Sequence, residues 1–147
     1  MKSMKTIIST LILTLVFMSG NAQSLSKPAE QIRDKAAHNY VVMTKKVDQL
    51  EPILLTAEAL RRENEKTFGN FEVIICGKDV IEITNQEKME KFIEQAKKLN
   101  VSIIACGFSL KKFEVDPDKI SDDVKIMDNG ILYNLELQKK GYLSLEL

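Results

Sequence analysis

The residues with the most chemical potential in this 147-residue chain are its two cysteines, Cys76 and Cys106, each followed directly by a glycine. A thiolate attacks electrophilic sulfur, carries sulfur or closes a disulfide, so these positions are the first candidates for a site. Other constellations are poor. His38 is the single histidine and precedes the first expected strand, so a Cys/His/Asp nucleophile triad lacks a convincing base. One histidine and two separated cysteines also make a poor zinc set. Asp116, Asp118, Asp122 and Asp123 cluster, but their spacing is not that of a calcium loop, and a helix cap with a solvated turn explains them. Neither GxGxxG nor GxxxxGK[ST] occurs, so nothing supports a nucleotide cofactor. No metal or organic cofactor is expected.

The cysteines need elements to position them, and the hydrophobic periodicity supplies these. Residues 39–43 (NYVVM) read as a strand, followed by an amphipathic helix over 47–60 whose Pro52 fits the first turn. Residues 71–76 (FEVIIC) form a second, nearly continuous apolar strand, as in a sheet covered on both faces. The short apolar piece 78–83 has no clear place. Thr84 and Glu87 have the spacing of a capping box and open a helix with Met89, Phe92, Ile93, Ala96 and Leu99 on one stripe, stopped by Asn100. A third buried strand over 101–105 (VSIIA) ends in Cys106-Gly107, as the second ends in Cys76-Gly77. Asp116-Pro117 starts a short helix, 124–127 is a fourth strand, and 130–140 is a helix stopped by Gly141. Residues 142–147 alternate apolar and polar, the mark of an edge strand with one face more exposed.

Strands alternating with helices at this rhythm predict a three-layer α/β/α sandwich with a mostly parallel five-stranded sheet. In such sheets ligands meet the carboxyl ends of the strands, and both cysteines fall on that edge. Adjacent parallel strands lie about 4.8 Å apart, within reach of a disulfide, so the thiols are expected either to be bridged, structurally or as a redox pair, or to remain free.

The start of the chain has a different character. Lys2 and Lys5 precede an apolar run over 6–18, and Gly20-Asn21-Ala22 places small residues where a signal peptidase would cut. Residues 1–22 are therefore expected to be a signal peptide, 23–36 a polar leader, and 37–147 the domain, in an exported protein that is periplasmic or secreted. About 125 residues then remain, enough for one core and not two. Basic and acidic residues balance at 21 each in the whole chain, and the lysines are interleaved with acids along the helices. That is no nucleic-acid footprint, and no membrane association is expected after cleavage.

The order of features from about residue 39 to the end resembles the DsrE-like (DsrE/DsrF/DsrH-type) sulfur-relay family. The matching features are the strand ending at Gly77 with Val80 nearby, the helix leading to Asn100-Val101, IIACGFSL at 103–110, Val124-Lys125-Ile126, Gly130, and LELQKKGYLSLEL with Gln138 and Gly141-Tyr142. The resemblance implies that Cys106 carries sulfur as a persulfide, that the chain assembles as a homo-oligomer, and that a sulfur donor or redox protein is its partner. Cys76 departs from the family pattern and is a candidate partner thiol. Physically, a thiol at a strand end beside a helix start can have its pKa lowered by amide dipoles, with Lys111 and Lys112 close in sequence and Ser109 as a local donor. This reading requires Cys106 to lie at the open rim of the sheet. The competing reading is a non-catalytic binding or structural module of the same fold, with Cys76 and Cys106 bridged or buried.

Overall fold

The computed structural model describes residues 37–147. The expected signal peptide and leader lie outside the described residues. The five strands β1 (His38–Thr44), β2 (Phe68–Ile75), β3 (Val101–Cys106), β4 (Val124–Met127) and β5 (Leu143–Glu146) form one sheet in the order β4-β3-β2-β1-β5, with every pairing parallel. Helices α1 (Leu50–Glu63), α2 (Gln86–Leu99), α3 (Gly107–Lys112) and α4 (Gly130–Lys139) complete an α/β/α sandwich. Among the described residues no helix is long and apolar enough to cross a membrane.

The two faces of the sheet are covered unequally, and the chain direction explains why. From β1 to β4 the chain steps across the sheet one way, and it returns once, from β4 to β5. Right-handed crossovers place outward-going and returning helices on opposite faces. Residues of α1 and α2 accordingly share the larger core with Val42, Val73, Ile75, Ile103 and Ala105. The other face has a smaller core, in which Leu137 of α4 meets Val41, Met43, Ile74, Cys76, Ile104 and Cys106. A hydroxyl bond ties α4 down as well, with Tyr133 donating to Glu72 Oε2 at 2.8 Å. Burial and that carboxylate push the Tyr133 phenol up to about 12.

Several local expectations change in detail. The first helix opens as a 3-10 turn, Val47–Gln49, before α1, with Pro52 in the first turn of the regular helix. The unplaced piece is a 3-10 helix, Lys78–Thr84, whose Val80 and Ile83 are buried. That segment ends on Asn85, and Asn85 rather than Thr84 caps α2: its side chain accepts from the Lys88 amide at 3.1 Å, while the Thr84 hydroxyl donates to the Ile81 carbonyl. Asn85→Ala is therefore expected to lower unfolding free energy by about 1 kcal/mol, and Thr84→Ala by clearly less, as read from urea midpoints. Asn100 stops α2 in the left-handed region at φ 58°. Asp116 caps only a 3-10 turn, Pro117–Lys119. Strand β5, one of the two edge strands, is exposed on both faces rather than one.

Candidate functional site

Strands β2 and β3 are the second and third of the sheet, and their register pairs Ile75 with Ala105. One residue further on, Cys76 stands opposite Cys106, both side chains turned toward the α4 face. The expected meeting of the two thiols is thus realised by strand register. They are free thiols, not a disulfide.

Exposure differs from expectation. Cys106 was expected at an open rim, yet it is 2 % exposed, and Cys76 is 8 % exposed. The cause is the return helix. Strand β4 ends at Met127 beside Cys106, and only Asp128 and Asn129 intervene before α4 begins. The first turn of α4 must therefore start directly over the strand ends. Gly130 makes that seat close: a Cβ there would lie 2.9 Å from Ile74 Cγ2, 3.0 Å from Cys106 Cβ and 3.1 Å from Cys76 Sγ. Asn129 caps α4 by accepting from the Leu132 amide at 3.0 Å, which fixes this start.

The covering segment also acts on charge. The Gly130 amide donates to Cys106 Sγ at 3.4 Å. Burial opposes ionisation of Cys106, but the amides of Ser109 and Gly130, the Ser109 hydroxyl and the Cys76 thiol together outweigh it and hold Cys106 below the ordinary thiol value. Cys76 goes the other way. Burial first, then the neighbouring Cys106, pushes it up to about 12. Two adjacent thiols thus differ in acidity, with the inner one the better thiolate. Ser109 is itself buried, and its oxygen accepts from the Gly77 amide at 2.9 Å. Gly77, at φ +87°, takes a backbone conformation that glycine adopts without the steric penalty of a side chain.

The remaining candidates lie elsewhere. Lys111 and Lys112 are exposed on the last turn of α3, where the Lys112 ammonium sits 5.6 Å from the centre of the Phe113 ring. His38 is exposed as the first residue of β1, at the opposite end of that strand from the thiol edge. Asp116 caps its own turn, and Asp123 pairs with Lys97 at 2.6 Å. Asp118, Asp122 and Asp123 also line a cavity of about 800 Å³ against α2. None of the thiol residues lines it. Sequence reasoning missed two neighbours of the thiols. One is Gly130 as their cover, signalled only by a glycine in the first turn of a helix where better helix formers are available. The other is the exposed Lys45–Glu146 pair, 3.1 Å apart at the ends of β1 and β5, whose charges reach Cys76.

No family model and no curated protein matches the chain. Among solved structures it is similar to MTH1491 from Methanobacterium thermoautotrophicum, a protein of unknown function, with a TM-score of 0.60 at 16 % identity, covering 75 % of this chain and 99 % of that one. The likeness is one of fold. It bears out the α/β sandwich and carries no activity across.

Proposed function

We propose that this protein handles reduced sulfur through Cys106, with Cys76 as its partner thiol. The observation that supports this best is the juxtaposition of two thiols at neighbouring strand ends, one of them accepting from the Gly130 amide, which sets their acidities apart. In the proposed step the Cys106 thiolate attacks the outer sulfur of a donor persulfide, R–S–SH. An S–S bond forms to give Cys106–S–SH, and the donor leaves as the thiolate R–S⁻. The stored sulfur is then passed to an acceptor thiol, or Cys76 displaces it as HS⁻ and closes a disulfide, which an external dithiol reduces. Cys106 is buried, so the open rim this reading requires is absent at rest, and the proposal adds that the Asp128–Gly130 segment moves to admit the donor. The DsrE-like resemblance supports the same residue, and with it a sulfur-donor or redox-protein partner and a homo-oligomer. Export to the periplasm or beyond belongs to the same proposal.

The 2 % exposure of Cys106 favours a second reading, a non-catalytic module in which both thiols are core residues. Mass spectrometry of the reduced protein after incubation with a low-molecular-weight persulfide separates the two. A gain of one sulfur that is lost in Cys106→Ser and kept in Cys76→Ser is the expected result. No gain in the folded, reduced wild type and none in Cys76→Ser, which lacks the thiol that would displace the sulfur, would leave the structural module as the better account.

A further inference from the structure

Helix α4 carries aliphatic side chains on the side turned away from the sheet. Gly130, Asn134 and Leu137 face the sheet, whereas Ile131, Leu132 and Leu135 stand outward at 56 %, 50 % and 49 % exposure. Helix α2 follows the usual rule: each of its exposed residues is Gln, Glu or Lys. A helix that is apolar on both sides is normally covered on both sides. Single exposed aliphatics are ordinary, but three within five residues of one short helix form a patch.

The ends of α4 carry opposite charges. Exposed Asp128 lies just before the helix, and exposed Lys139 and Lys140 lie at its close. Two such helices laid antiparallel bring unlike ends together and oppose their dipoles. In the register that stacks Leu132 of one copy on Leu135 of the other, Asp128 falls opposite Lys139 at both ends of the pair. A twofold axis repeats each contact, so one self-complementary helix suffices. A foreign partner would have to supply that charge pattern independently.

We infer that a second copy of this chain covers the outer face of α4, the two helices packing antiparallel across a twofold axis through Ile131, Leu132 and Leu135. The interface shares Asp128 with the segment over Cys106, but it is read from the association state and not from sulfur gain, so its absence leaves the sulfur reading intact. It adds to the expected homo-oligomer the surface through which the copies meet.

Sedimentation velocity of the purified protein under reducing conditions, from low to several hundred micromolar, tests this. The expected result is a reversible dimer that weakens with added salt. Leu135→Glu should weaken it at least tenfold while leaving the far-ultraviolet circular dichroism unchanged, since the side chain is half exposed. Asp128→Lys and Lys139→Asp should each weaken it, and the double exchange should restore it. A monomer at every concentration would overturn the inference. So would a dimer insensitive to Leu135→Glu, or one broken instead by Leu145→Glu on the edge strand. If Leu135→Glu fails to fold, the charge-exchange pair still decides: single reversals without effect reject the antiparallel arrangement.

Discussion

Gly130→Ala is expected to lower the unfolding free energy by about 2 kcal/mol, and Gly130→Val by about 3 kcal/mol or more, values typical of overpacking a tight contact. The added carbon would meet Ile74 Cγ2 at 2.9 Å, Cys106 Cβ at 3.0 Å and Cys76 Sγ at 3.1 Å. Ile74 is fully buried on a central strand, and Cys106 Cβ is fixed to the backbone of the next strand, so neither yields easily. The easier response is for the start of α4 to move outward, which would also stretch the 3.4 Å bond from the Gly130 amide to Cys106. Against a total stability of about 5–15 kcal/mol for a domain of ordinary size, such a loss is large. Urea unfolding of the two variants measures it, and alkylation of Cys106 gives a second readout, expected to be faster once the cover is displaced. A midpoint equal to that of wild type in Gly130→Val would mean that α4 does not seat this closely on Ile74 and the two thiols.

Alkaline pH should destabilise the fold through Cys76. Its folded pKa, about 12, lies above the ordinary 9.0. Between those values the unfolded chain has lost the proton and the folded chain still holds it. The folded state then binds more protons, so stability falls as pH rises across this window, by up to about 1.4 kcal/mol per pH unit and about 4 kcal/mol in all. Cys106 has the opposite sign in a different window. Its folded pKa is lowered, so its contribution is present above the unfolded value and is lost as pH falls through the folded one. Tyr133 also loses stability at alkaline pH, but it is common to wild type and to a Cys76 variant and cancels between them. The expected result is that, from pH 9 to 10.5, wild type loses about 2 kcal/mol more than Cys76→Ser in urea titrations. Parallel stability curves for the two proteins would show that Cys76 ionises as freely folded as unfolded.

The sequence carried the architecture because strand burial and helix amphipathicity are local patterns. FEVIIC and VSIIA are continuous apolar runs and became central parallel strands, and the single stripe from Met89 to Leu99 became α2. Local pattern was weaker where competing contacts decide. Thr84 and Asn85 are both good caps, and the 3-10 course of Lys78–Thr84 determines which of them meets the helix amide. The 78–83 piece is too short for either period to show.

The candidate site divides along the same line. Two Cys-Gly pairs at the ends of apolar runs already place both thiols on the carboxyl edge of a sheet, and that much follows from strand length and the side-chain period of two. Whether the thiols touch depends on the register of β2 against β3, which is a non-local quantity. Whether they are open depends on where the single returning helix comes down, which strand order and crossover handedness set, not the residues around the cysteines. Cys106 is covered because α4 begins above it, whereas its acidity comes first from the nearby Ser109 amide and then from the Gly130 amide of α4. The cover and part of the acidity come from a helix that starts 24 residues away in the chain.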